Sequence, residues 1–145
     1  MISDDDLLDY VRSSRLAVVS TIGADGWPQS ALVGIGVTGD FHIVFDTVVT
    51  SRKHANLLRD PRSSLVIAGP NEKTLQYEGS AFQVPVTGFD GETIREAYYA
   101  SWPDGRDRAA TWPTLSYWCI SPRWARYTDY NATPPHSHFF GEREQ

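Results

Sequence analysis

The sequence predicts a mainly β (α+β) protein: an antiparallel barrel of six to seven strands with two or three short helices inserted. Three observations predict it. Short runs rich in β-branched and aromatic residues are punctuated by turn-forming pairs such as Asp25-Gly26 and Gly69-Pro70. The helical stretches are isolated, with no βαβ rhythm. Several strands, Ser30 to Ile35 among them, show little polar alternation, which is expected where both sheet faces are covered and points to a dimer.

The elements follow in order. Ser3 ahead of Asp4, Asp5 and Asp6 reads as a helix start, because a hydroxyl caps a free N–H and carboxylates suit the positive end of the helix dipole. Leu7, Leu8 and Val11 share one face of a helix that runs to about Ser14. Leu16 to Ile22 reads as a strand, Gly23 to Gly26 as a reversal, and Trp27 to Val37 as the returning strand. After Thr38-Gly39-Asp40, Phe41 to Phe45 is a third strand, with Phe41, Ile43 and Phe45 alternating against His42 and Val44. Thr50 to Arg59 is a second helix, stopped by Asp60-Pro61.

Ser64 to Ala68 is the fourth strand. Thr74 to Val86 is long, and Gly79 in its middle predicts a bulge or barrel corner. Asp90 to Ser101 is a third helix with Ile94, Ala97 and Tyr98 on one face, and Trp102 to Trp112 is a loop or short irregular helix. Leu115 to Ile120 and Trp124 to Tyr130 close the strand list. The chain reads as one domain over residues 1–145, with 131–145 an extended tail lying on the surface or on a partner.

Composition excludes several classes. A formal net charge of −5 argues against general nucleic-acid binding. The single cysteine, Cys119, sits in an apolar run and reads as a core residue, so no intrachain disulfide framework exists. No apolar stretch approaches the roughly 20 residues that span a bilayer, and the acidic N-terminus is unlike a secretory signal. A cytoplasmic location is expected.

The most informative segment is Thr50-Ser51-Arg52-Lys53-His54. Two cations in a first helical turn oppose the dipole, which favours Asp or Glu there. Beside free N–H groups and two hydroxyls they make an anion site, with His54 close enough to assist. His136 and His138 lack a carboxylate or Cys at ligand spacing and read as solvated. Trp102, Trp112 and Trp118 read as core or dimer contacts, and Asp104 to Asp107 as a loop. Gly34-Ile35-Gly36 lies inside a strand with no helix after it, so it is no dinucleotide fingerprint.

The runs Leu16 to Thr21, Asp25 to Pro28, Phe45-Asp46-Thr47, Ser51-Arg52-Lys53, Arg59-Asp60-Pro61, Tyr77-Glu78-Gly79 and Trp124 to Tyr127, with Pro134-Pro135, lie in a telling order. Over nearly the whole chain this order resembles the pyridoxamine 5′-phosphate oxidase-like flavoproteins, whose fold is the FMN-binding split barrel. The resemblance implies a homodimer with FMN at each subunit interface. It assigns the backbone of Ser30, Ala31, Leu32 and Val33 to the isoalloxazine ring. It places Asp46 and Thr47, with Ser51, Arg52 and Lys53, at the phosphate end. Thr74 stands where the oxidases have a Gln, and Trp124 or Tyr127 is the aromatic that a second subunit contributes.

The same comparison shows departures. Ala31 replaces an Arg that reaches the phosphate, Gly36 replaces a substrate-binding Lys, and no Arg-x-His segment follows. The resemblance thus implies an FMN-dependent oxidoreductase acting on a small molecule other than pyridoxamine phosphate. Two alternatives stay open: a deazaflavin-dependent reductase of the same superfamily, and a non-catalytic flavin-binding or stress-related module.

Overall fold

The computed structural model describes residues 2–141. Among them are four helices, α1 (Asp4–Ser14), α2 (Arg52–Arg59), α3 (Phe89–Ser101) and α4 (Gly105–Thr111). Eight strands accompany them: β1 (Leu16–Ile22), β2 (Pro28–Gly34), β3 (Gly36–Val37), β4 (Ile43–Val48), β5 (Arg62–Ala68), β6 (Lys73–Gln83), β7 (Leu115–Asp129) and β8 (His136–Gly141). They form one antiparallel sheet in the order β2-β1-β5-β6-β7-β4-β3, with β8 added beside β7. The two ends of that order, β2 and β3, are consecutive in the chain. A single segment thus belongs to both edges of the curled sheet, and this closure makes the fold a split barrel.

The interior is filled by one face of each strand. Ala17 and Val19, Val33, Ile43 and Phe45, Leu65 and Ile67, Leu75 and Tyr77, and Trp118 and Ile120 pack together, with Leu7, Leu8 and Val11 of α1 sealing one end. The Tyr77 hydroxyl reaches across this core to the carbonyls of Phe41 (2.7 Å) and Ile120 (2.8 Å), so a buried polar tip is satisfied. A second cluster of Val44, Val84, Tyr98, Tyr117 and Cys119 lies on the other face of β4 and β7, beneath α3. Cys119 is buried there as expected, and burial pushes its thiol up to about 12.

The predicted elements are corrected in five places. The run Trp27 to Val37 is two strands. β2 stays with β1 up to the Ile35 N–H, which meets the Arg15 carbonyl at 2.8 Å. There β1 gives out, because Arg15 is the left-handed cap of α1, and β3 pairs with β4 instead. Gly34 and Gly36 flank that change of partner, and neither has room for a side chain. A Cβ on Gly34 would stand 2.7 Å from the Trp102 ring, and one on Gly36 would stand 2.5 Å from the Ala97 carbonyl oxygen of α3. The third strand starts at Ile43, since Phe41 closes a tight turn at φ 64 with its N–H on the Thr38 carbonyl. Val44, expected opposite the core with His42, is buried under α3 instead.

The last two predicted strands are one, β7. Its register against β6 slips between Glu78 and Gly79, where Pro122 and Trp124 are the partners. This is the bulge expected at Gly79, and it lets Pro122 sit inside a strand without breaking it. Any Cβ at Gly79 would lie 2.0 Å from the Ser121 carbonyl oxygen, so the close approach requires glycine. The segment after Trp102 holds α4, and the tail contains β8, which extends the sheet rather than lying free. The His136 and His138 side chains lie outside the described residues.

Candidate functional site

The start of α2 is fixed by two hydroxyls. Ser51 adopts extended backbone at the N-cap, and its Oγ accepts the His54 N–H at 3.2 Å. That Oγ also shares a hydrogen bond of 2.8 Å with Thr47 Oγ1 of β4, which pins the helix tip to the strand. The N–H groups of Arg52 and Lys53 have no carbonyl within the helix to reach, as helix geometry requires. Neither side chain makes a hydrogen bond or ion pair among the described residues. Arg52 is exposed and Lys53 half-buried, and both line a cleft of about 110 Å³ whose other wall is Val19 and Thr21 of β1 and Gln29, Ser30 and Ala31 of β2. Burial lowers the Lys53 pKa, and the Asp46 charge offsets part of that. An anion in this cleft would meet two unpaired cations and two free backbone donors at once.

The rest of α2 anchors the turn. Asn56 is buried and donates to Thr21 Oγ1 and Gln29 Oε1, each at 2.9 Å, while its carbonyl accepts from Arg59 at 3.0 Å. The three partners lock helix, β1 and β2 together around the cleft. His54 does not assist the anion turn as expected. It is buried, and its Nδ1 accepts the Trp118 indole N–H at 3.1 Å, with the rings edge-to-face at 5.5 Å. Burial lowers the His54 pKa and keeps the ring neutral, as an acceptor must be.

A charged cluster lies on the other face of β4. Asp46 faces α3 and α4, where the Arg108 guanidinium lies 3.5 Å from its Oδ2. Arg108 also donates to the Tyr98 hydroxyl at 2.9 Å and to Asp104 at 2.5 Å. Tyr98, Tyr99 and Tyr117 meet edge-to-face with ring centres 5.8–6.1 Å apart. Burial raises the pKa of Tyr98 and Tyr117, and the nearby Asp46 charge adds to it, so both stay protonated phenols.

Of the predicted site residues, the structure gathers Ser30, Ala31, Arg52 and Lys53 around one cleft, with Thr47 and Ser51 hydrogen-bonded at its rim. Asp46 does not line this cleft; it faces Arg108 on the other side of β4. Leu32 is exposed on the outer face of β2, and Val33 points into the barrel core. Thr74 and Trp124 are not brought to this cleft within one chain. Thr74 pairs with Ala68 and Thr128 near the start of β6. Trp124 is reached along a cross-strand row that runs Ser30, Ser20, Ser64, Glu78, Trp124. At the usual strand spacing that row spans roughly 19 Å.

Sequence reasoning missed Gln29, Asn56 and Arg108. An Asn on the inward face of a short helix was a usable signal for the first pair. Arg108 gave none, being joined to Asp46 only through the fold.

A larger hollow of about 440 Å³ lies on the outer face between Ser20, Ser64, Glu78 and Arg123. Its lining is rich in Ser and Thr, and its cations are engaged, Arg62 with Asp60 and Arg123 with Glu78. It presents no counterpart to the α2 turn.

The chain belongs to the pyridoxamine 5′-phosphate oxidase family, whose model matches residues 3–129. No curated protein matches it. Among solved structures it is similar to a heme binding protein of Mycobacterium smegmatis, at 19 % identity and a TM-score of 0.77. That match covers 95 % of this chain and 58 % of the other, so this chain spans little more than half of that protein. It is similar to a conserved hypothetical protein of Mycobacterium tuberculosis at 24 % identity and a TM-score of 0.76, covering 98 % and 94 % of the two chains. A pyridoxamine 5′-phosphate oxidase-related, FMN binding protein of Nostoc punctiforme matches at 12 % identity and a TM-score of 0.73, covering 100 % and 94 %. At these identities the likeness is one of fold. No helix among the described residues is long and apolar enough to cross a membrane.

Proposed function

We propose that this chain is an FMN-dependent oxidoreductase of small molecules that works as a homodimer. The observation that carries the reading is the opening turn of α2: two cations with no ion-pair or hydrogen-bond partner among the described residues, beside helix N–H groups with no intrahelical acceptor, on one wall of a cleft. The residues present fit a phosphate-bearing flavin. Arg52, Lys53 and the two N–H groups would hold the phosphate, with the Thr47–Ser51 hydroxyl pair fixing the turn. The backbone of Ser30 to Val33 on β2 would border the ring, since β2 is a sheet edge with one row of backbone groups unpaired by any strand. When bound, the isoalloxazine supplies the hydride or electron chemistry. The protein's part is to orient it and to exclude water.

A dimer accounts for two further features. Leu32, Val18 and Val66 lie side by side across β2, β1 and β5 as an exposed apolar stripe, with Leu32 66 % exposed. A second copy would cover it. Trp124, too far from the cleft of its own chain, would then reach the partner's flavin. Pyridoxamine phosphate is not the proposed substrate. The position of the oxidases' substrate Lys is Gly36 here, packed against the α3 backbone with no space for any side chain.

A spectrum of the purified protein, followed by titration with FMN, deazaflavin and heme, tests the reading. Flavin absorption, stoichiometric FMN uptake and a dimeric mass support it. A protein that takes up heme or deazaflavin in preference, or nothing at all, overturns it. Substrate turnover with reduction or reoxidation of bound FMN separates an enzyme from a binding module.

A further inference from the structure

The inference rests on the flavin reading and concerns the wall of the cleft that faces the α2 turn. That wall is Val19 and Thr21 of β1 with Gln29, Ser30 and Ala31 of β2. Val19 and Ala31 carry no polar side-chain atom. The Ser30 hydroxyl is paired with that of Ser20 at 2.9 Å, and Thr21 Oγ1 accepts from Asn56 at 2.9 Å. Gln29 differs from its neighbours. It stands opposite Thr21 in the β1–β2 register and is half-buried, and its Oε1 accepts from Asn56 Nδ2 at 2.9 Å. Its Nε2 makes no hydrogen bond among the described residues.

A chain of donors decides which end of the Gln29 amide is committed. A guanidinium only donates, so Arg59, at 3.0 Å from Asn56, must meet the Asn56 carbonyl oxygen. Asn56 Nδ2 is left to face Gln29, and a donor there requires the Gln29 oxygen. Arg59 is held by a second bond, to the Ile22 carbonyl at 3.1 Å. The buried Asn56 therefore cannot turn over without setting donor against donor at Arg59. The result is an amide on β2 whose two N–H donors stay uncommitted, in a cleft whose other wall carries two cations.

We propose that Gln29 is a phosphate-binding residue and Asn56 its positioning residue. Asn56 holds the Gln29 oxygen, and Nε2 donates to a phosphoryl oxygen that Arg52 and Lys53 hold from the other side. A phosphoryl group spreads its terminal oxygens in a tetrahedron, so donors on the α2 turn alone reach only some of them. An amide serves the far side without adding a charge that must be desolvated. Gln29 thus favours FMN over its dephosphorylated form, riboflavin.

The test is titration of the full chain with FMN and with riboflavin. Gln29→Met keeps the length and removes the donors. It is expected to weaken FMN roughly ten- to hundredfold, the range for a hydrogen bond to a charged acceptor, and to leave riboflavin unchanged. Gln29→Glu sets a carboxylate against the phosphate and should weaken FMN further still. Asn56→Asp keeps the Arg59 contact but offers Gln29 an acceptor, so the amide turns over and presents its oxygen to the cleft. It should weaken FMN in the unmodified protein and add little on top of Gln29→Met. A loss shared equally by both flavins, FMN affinity untouched by Gln29→Met, or a fully additive loss from Asn56→Asp overturns the proposal. Should Asn56→Asp fail to fold, the comparison of Gln29→Met with Gln29→Glu still decides the role of Gln29. If the unmodified protein binds neither flavin, the functional reading itself has failed; FMN binding that ignores Gln29 defeats this inference alone.

Discussion

Helices α1 and α2 begin alike and are charged in opposite ways. Each opens on a serine whose Oγ accepts the N–H three residues on, Ser3 from Asp6 at 3.1 Å and Ser51 from His54 at 3.2 Å. Behind the first cap stand Asp4, Asp5 and Asp6, which complement the helix dipole. Behind the second stand Arg52 and Lys53, which oppose it. The first turn is electrostatically complete with what the chain provides. The second, on the proposed reading, is completed by the flavin phosphate. The same capping chemistry thus carries charges that complement the helix dipole in one place and charges that oppose it in the other.

That contrast is broken most severely by reversing the charges. The double variant Arg52→Glu/Lys53→Glu should weaken FMN binding at least roughly hundredfold, from two charge-assisted contacts of about 1.5–3 kcal/mol each. Equilibrium dialysis or fluorescence quenching measures it, and near-normal affinity would refute the phosphate assignment. His54→Phe leaves the Trp118 N–H without its acceptor and should cost about 1–3 kcal/mol in chemical denaturation. It also has a pH signature. Burial lowers the His54 pKa below its ordinary 6.5, so the unfolded chain binds a proton the native protein does not. That part of the stability is full above 6.5 and is lost as pH falls through it, and the variant should lack the acid-side loss.

Lys53 titrates in the alkaline direction. Its pKa is lowered by burial, and binding a phosphate favours the charged form. The preference for FMN over riboflavin should therefore be full below that pKa and decline as pH rises through it. A ratio that stays flat across the alkaline range would deny Lys53 its role. Ser3→Ala should cost about 1 kcal/mol of stability and leave FMN affinity untouched. The smallest effect sharpens the comparison best. In the cofactor-free protein Arg52→Glu should raise stability by about 0.3–1 kcal/mol while abolishing tight binding. A destabilised apo variant would show that Arg52 has a structural partner.

Much of this was legible in the sequence, for identifiable reasons. Caps and Asp-Gly reversals are local signals, and they placed the starts of α1 and α2 correctly. Gly79 announced its bulge because only a backbone crowded to 2.0 Å demands glycine in mid-strand. What failed was the inference from local breaks to strand ends. Ser121 to Arg123 reads as a gap between two strands, yet the register slip opposite Gly79 accommodates it, so the two predicted strands are one. Trp27 to Val37 reads as continuous, yet its partner changes at Ile35, from β1, which begins only after the α1 cap at Arg15, to β4. Thr21, Gln29 and Asn56, and likewise Asp46 and Arg108, are joined only by tertiary folding, which no periodicity encodes.

Gly36 carries a consequence for how this protein is able to diversify. Because α3 rests directly on the main chain there, the sheet has surrendered that position as a place to write specificity. Any side chain introduced there would first have to lift the main chain of Ala97 and Tyr98, so strand and helix are bound to move together.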